Sequence, residues 1–253
     1  MNVFNLTETE AQDYLNENNC SALLHAGAKE EMPPKWDDLA RLYSLVRERK
    51  PFTILEFGSG FSTVVMAYAL KKNWKEYQDH LGRRAEGQKG RDYPQPQIVS
   101  LESADKWREN TLAKVVAAGL SEFSDIRVSS VSIAEYSGQL CHFYDDLPDI
   151  VPDFVYLDGP DPTTVQGSIN GLSFRNPKRT VMSGDLLKYE STLLPGFFMI
   201  VDGRSNNARF LERSFSRAYK IKRHDEADVT TFELDESRLG RKNIYGWEAY
   251  QSR

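Results

Sequence analysis

The chain has 253 residues, 40% hydrophobic and 27% charged. That composition excludes a disordered or fibrous protein and suffices for one large α/β domain or two small ones. Its 32 Lys and Arg against 37 Asp and Glu leave a formal net charge of -5, which disfavours a general nucleic-acid binder, because polyanion affinity needs clustered positive charge. Cys20 and Cys141 are the two cysteines, too few for a disulfide framework or a four-thiolate zinc site. The four histidines, His25, His80, His142 and His224, lie far apart, so histidine-rich metal motifs are absent. No apolar run approaches the roughly 20 residues of a membrane span. The first fifteen residues lack the basic start and apolar centre of a secretory signal. A cytoplasmic protein with neither a membrane nor a nucleic-acid partner is expected.

In chain order, residues 7–31 are predicted helical, with Thr7 as cap and Glu10 as its capping-box partner. Pro33 and Pro34 stop that element, and a second helix is predicted over 35–49, ended by Pro51. A short apolar strand over 52–56 then meets the glycine turn 57–60, and a helix follows over 61–71. Strand, glycine turn and helix open a βαβ unit. Residues 72–97 are polar, mildly basic and end in Gly and Pro; they read as a helix extension plus an exposed insertion. Further strands are predicted at 98–102, 126–131, 154–158 and 197–202, with helices at 104–119 and 206–217. The closing strands, 219–223 and 229–234, are joined by so short a turn that they must be antiparallel. The alternation predicts a Rossmann-like three-layer α/β sandwich with a seven-stranded, mostly parallel sheet. The division expected is a helical cap over 1–50 and one main domain over 51–253.

The chemistry centres on Glu56-Phe-Gly58-Ser59-Gly60-Phe-Ser62-Thr63. Two glycines at the carboxyl end of a strand let the backbone approach a ligand, and the helix beyond aims free N–H groups at it. A dinucleotide fingerprint needs a third glycine and an acid about 20 residues on. Here Thr63 replaces the glycine, and the next strand-terminal acid, Glu102, comes 42 residues after Gly60. An acid also precedes the turn, at Glu56. Over roughly residues 52–234 this pattern resembles the class I S-adenosylmethionine-dependent methyltransferases, most specifically in ILEFGSGFST. Glu102 in VSLES, Asp158 in DFVYLDGP, the Pro-Gly lead into LLPGFFMIVDG and the closing strand pair extend the resemblance.

The resemblance implies S-adenosylmethionine as cofactor. Glu102, with Ser103 beside it, would hold the ribose hydroxyls and Glu56 the ammonium. The turn Gly58-Ser59-Gly60, with Ser62 or Thr63, would receive the methionine carboxylate, and residues 131–135 would lie by the adenine. Each acid also has a plainer use: Glu102 as a helix cap, Asp158 as part of a Asp-Gly-Pro-Asp-Pro turn. Asp158 is nonetheless the best-placed general base, ahead of His142 and Lys188, and it also borders the cofactor. Asp158 and Asp202 resemble the acid pair of metal-using catechol-type relatives, but Gly203 stands where those carry an amide, so no metal is assigned. The implied function is methyl transfer to an oxygen or nitrogen of a small-molecule acceptor. Arg175, Lys178 and Arg179, in a long segment after the fourth strand, would suit an anionic acceptor or form a basic surface loop. Two other readings remain: a nicotinamide- or nucleotide-binding oxidoreductase, and a non-catalytic binding protein with this fold. No motif sets an oligomeric state.

Overall fold

The structure, a computed structural model, describes residues 2–24, 33–82 and 94–236. Helix α1 (Glu8–Glu17) starts with the capping box read from the sequence: the Thr7 hydroxyl accepts from the Glu10 N–H and the Glu10 carboxylate accepts from the Thr7 N–H at 2.9 Å. The helix ends earlier than predicted. Asn19 turns left-handed at φ 59, and a short α2 (Ser21–Leu24) follows; Asn tolerates that backbone better than most residues. The remainder of the predicted helix, 25–31, lies outside the described residues. Helix α3 (Trp36–Arg49) closes at a left-handed Lys50 just before Pro51.

Next come β1 (Thr53–Phe57), α4 (Phe61–Gly82), β2 (Gln97–Glu102), α5 (Asp105–Ala117) and β3 (Ser124–Val128). Helix α4 includes the predicted extension; residues 83–93 of the predicted insertion lie outside the described residues. Beyond β3 the chain departs from expectation. The third strand does not run to 131. Instead β4 (Val131–Tyr136) and β5 (Gln139–Tyr144) form an antiparallel hairpin around Ser137 and Gly138, with φ values of 50 and 75. Two positive φ angles across a two-residue loop are what the twist of a hairpin favours. Residues 131–135 are therefore strand rather than connection, and His142 sits inside a strand.

The chain continues through β6 (Phe154–Leu157), β7 (Val165–Gln166), α6 (Asp185–Tyr189), β8 (Phe198–Asp202), α7 (Ser205–Ser214), β9 (Tyr219–His224) and β10 (Val229–Leu234). Seven strands form one sheet in the order β3-β2-β1-β6-β8-β10-β9. Every pairing is parallel except the two made by β10, as the short closing turn required. A second sheet, absent from the sequence reading, has the order β5-β4-β7.

Strand alternation sorts the core into two layers. Ile54, Phe154, Tyr156, Phe198 and Ile200 face α1, α3 and α4. Leu55, Phe57, Val155, Leu157, Met199 and Val201 face α6, α7 and the small sheet. Burial on both faces is what a parallel sheet between helices demands. The topology reverses at β1, which pairs with β2 on one side and β6 on the other. Open α/β sheets bind ligands above such a switch point.

The ends of β1 and β6 touch there. Gly58 adopts φ +104, and a Cβ on Gly159 would stand 2.6 Å from the Gly58 nitrogen and 2.8 Å from the Phe57 carbonyl carbon. Both obstacles are backbone, which cannot rotate away. Gly159→Ala is expected to cost about 1–3 kcal/mol in urea unfolding, the range of overpacking. A cost below about 0.5 kcal/mol would show that the two strand ends separate freely.

Candidate functional site

The site grows from Glu56. Position 56 of β1 pairs with Ser100 of β2, and alternation turns both side chains toward α4. Glu56 is 1% exposed. Its Oε1 accepts the Ser62 hydroxyl at 2.5 Å, and its Oε2 accepts the Thr63 hydroxyl at 2.6 Å and the Ser100 hydroxyl at 2.5 Å. Thr63 Oγ1 accepts in turn from the Gly60 N–H at 3.1 Å. One carboxyl thus ties β1, β2 and the first turn of α4 together beneath the glycine turn. Burial pushes its pKa up to about 7, against the pull of the three hydroxyls. Glu56, Ser62 and Thr63 therefore satisfy one another.

Glu102 ends β2 on the far side of the turn. Its Oε1 accepts the N–H groups of Ser103 and Ala104 at 2.8 and 3.1 Å, and its Oε2 accepts the Ser59 hydroxyl at 3.0 Å. One oxygen serves the chain before α5, whose N-cap Ala104 has no side-chain cap bond, and the other accepts from the turn. Ser103 Oγ accepts from Thr164 Oγ1 at 3.0 Å, which joins the loop after β2 to the loop after β6. Above the turn the space is open, since a Cβ on Gly60 would meet nothing within 4 Å.

On the α3 side stand three acids. The Tyr156 hydroxyl donates to Asp202 at 2.6 Å, and burial, then the nearby Asp38, push Asp202 up to about 7. The Asp158 side chain reaches solvent. Crowding by the surrounding protein still raises its pKa above the usual carboxylate value, with Arg204 opposing the rise. Among the described residues no group of three His, Cys, Asp or Glu side chains is arranged to hold a metal ion.

Several sequence expectations land elsewhere. Lys188 lies in α6, with its Nζ 4.2 Å from the centre of the Phe143 ring. Arg179 donates to the Ser173 carbonyl at 2.6 Å, so it braces its own loop; Arg175 and Lys178 are exposed. His142 is fully buried. The residue that sequence reasoning passed over is Arg204, whose Nη2 donates to the carbonyls of Asp158 and Pro160. The only signal was its place two residues beyond the strand-terminal Asp202. A cavity of about 270 Å³ between the N-terminal arm, α3 and the β9–β10 edge contains none of the candidate residues. Among the described residues no helix is long and apolar enough to cross a membrane.

No protein-family model and no curated protein sequence matches the chain. Its structural neighbours are O-methyltransferases and related methyltransferases, at low identity and high coverage. An O-methyltransferase of tomaymycin synthesis from Streptomyces achromogenes, solved with S-adenosylmethionine, is 15% identical over 93% of this chain and 91% of its own, at a TM-score of 0.45. An O-methyltransferase from Bacillus cereus, solved with S-adenosylhomocysteine, is 14% identical over 90% and 92%, at 0.43. A methyltransferase from Podospora anserina, also with S-adenosylhomocysteine, is 12% identical over 92% and 99%, at 0.46.

The buried acids set a pH dependence. Glu56, Asp185 and Asp202 are each raised to about 7 in the folded chain, from ordinary values of 4.5, 3.8 and 3.8. Between pH 4 and 7 the unfolded chain gives up protons that the folded chain keeps. Their contribution is therefore full below about pH 4 and is lost as pH rises through 7. The urea midpoint is expected to be higher at pH 5 than at pH 8, and Glu56→Gln is expected to flatten that slope by about 1–3 kcal/mol. A slope unchanged in the variant would mean that Glu56 ionises normally.

Proposed function

We propose that the protein is an S-adenosylmethionine-dependent methyltransferase acting on an oxygen or nitrogen of a small-molecule acceptor. The observation that carries this reading is the placement of Glu102 beside the open Gly58–Gly60 turn at the sheet's switch point. A strand-terminal carboxylate with one oxygen facing the turn suits a ribose diol, and charge-assisted hydrogen bonds of that kind are the strong ones. The residues fit the cofactor in charge as well. Glu102 and Asp158 stand at the strand ends with negative charge that complements a sulfonium and an ammonium.

When bound, the cofactor supplies an electrophilic methyl group. The protein's own work is mainly positional. Gly58, Ser59 and Gly60 would let the backbone close on the cofactor's amino-acid end, with the N-terminal dipole of α4 favouring its carboxylate. Glu102 and Ser103 would fix the ribose. Glu56, with its oxygens already taken by Ser62, Thr63 and Ser100, would act by holding the turn in shape rather than by touching the ligand. Holding nucleophile and methyl in line removes entropy from the barrier. Asp158, its pKa raised, would accept the acceptor's proton as general base.

Calorimetry with S-adenosylhomocysteine tests this reading. Binding is expected for the parent chain, about tenfold weaker for Glu102→Gln, in line with the ~1.5–3 kcal/mol of a charged hydrogen bond. Gly60→Ala, whose methyl meets no protein atom, is expected to weaken binding while leaving the urea midpoint unchanged within about 0.5 kcal/mol. Absence of heat at millimolar S-adenosylhomocysteine would sink the proposal.

A further inference from the structure

Buried polar atoms without partners are rare, because each forfeits its hydrogen bonds to water. Among the described residues there are six such atoms; besides Arg41 Nε and Tyr219 Oη, four belong to three side chains: Nδ1 and Nε2 of His142, Oη of Tyr144 and Nε of Arg204. His142 is 0% and Tyr144 1% exposed. These are neighbours. His142 and Tyr144 lie two residues apart on β5 and so project from the same face. The charge of Arg204 acts on both of them. Tyr144 also senses Asp185, whose Oδ1 accepts the Tyr144 N–H at 2.8 Å, then Glu102 and Glu56, and its ring packs on Phe57 at 5.5 Å between centroids. Arg204 is moored to the carbonyls of Asp158 and Pro160. The cluster therefore sits under the small sheet, at the carboxyl ends of β1 and β6, next to the glycine turn.

The protonation states define what the cluster binds. Burial, reinforced by Arg204, lowers the His142 pKa to about 3, so the ring is neutral and offers one N–H and one lone pair. Burial keeps the Tyr144 hydroxyl protonated far above its usual range. Arg204 supplies a cation whose Nε–H has no acceptor. Arg204 Nε, the Tyr144 hydroxyl and the His142 ring all lie buried without a protein partner, with Arg204 moored to the loop after β6 and Tyr144 against Phe57 of β1. We infer that Arg204 Nε, Tyr144 Oη and His142 form a subsite for an anionic oxygen, delivered as a carboxylate on the methyl acceptor. This rests on the methyltransferase reading for the ligand's role, although not for the anion's binding. The carboxylates of Asp185, Glu102 and Glu56 act on Tyr144, and like charges repel. A singly charged carboxylate therefore suits the subsite better than a phosphate dianion.

The test follows the Arg204 Nε–H directly. The whole chain, labelled with nitrogen-15 at arginine, is titrated with benzoate and with its neutral isostere benzamide, with and without saturating S-adenosylhomocysteine. The resonance is assigned by its disappearance in Arg204→Lys. Benzoate is expected to shift it saturably in both conditions, and benzamide at least tenfold more weakly. Tyr144→Phe is expected to weaken benzoate at least fivefold and to leave S-adenosylhomocysteine within twofold. No benzoate shift, or an equal response to benzamide, overturns the subsite. So does benzoate competing with S-adenosylhomocysteine while Tyr144→Phe weakens both equally, since the carboxylate held there is then the cofactor's own. If S-adenosylhomocysteine fails to bind but the benzoate response persists, the methyltransferase reading falls and the anion subsite stands.

Discussion

The architecture around the site depends on one buried carboxyl. Glu56 lies at the end of a parallel strand, where an unpartnered carboxylate would carry a heavy desolvation cost. Hydroxyls from the neighbouring strand and from the first turn of α4 offset part of that cost. Because the donors come from two other elements, α4 and β2, the same contact that tolerates the acid also fixes the entry of α4 relative to β1 and β2. The glycine turn above it inherits that geometry: Gly60 donates to Thr63, and Thr63 to Glu56. A polar group fully satisfied in this way specifies one arrangement more sharply than an apolar contact, since its alternatives leave a buried group unpaired.

A steric constraint completes the frame. Gly58 and Gly159 approach so closely that a side chain on Gly159 would meet the Gly58 backbone at 2.6 Å. Together the hub and the close approach make the mouth of the sheet narrow at its floor and open above Gly60. The acids around it divide by strand alternation. Asp158 and Asp202 turn toward α3, where Tyr156 and Asp38 meet them. The opposite face carries Phe57, Tyr144 and the small sheet. The two sides of the mouth therefore differ in chemistry: carboxyls under the N-terminal helices, neutral donors and a cation under the hairpin.

Much of this was legible in advance. The capping box at Thr7 and Glu10, the glycine turn, the strand-terminal acids and the antiparallel closing pair are local patterns, and local patterns survive folding when their signals are chemical rather than contextual. The hairpin of β4 and β5 was missed although Ser137-Gly138 between alternating segments is a hairpin signal. Val131 had been absorbed into the preceding strand, which hid the alternation that begins there. Helix α1 was overextended because Asn18 and Asn19 end it by backbone conformation, without the Gly or Pro that usually marks such a stop.

By itself, the sequence determined the class of the fold and the position of Glu56, Gly58, Gly60, Glu102 and Asp158 at strand ends, because periodicity and turn chemistry act over a few residues. Only the tertiary structure decided what those residues touch. That Ser62 and Thr63 serve Glu56, that Glu102 divides its oxygens between the chain before α5 and the turn, and that Arg204 donates to the carbonyls of Asp158 and Pro160 all depend on how separate elements meet. Hydrogen bonding and burial are settled by which atoms remain without water once the layers close. Until then, a strand-terminal acid and a lone arginine look like any other charged residue in the chain.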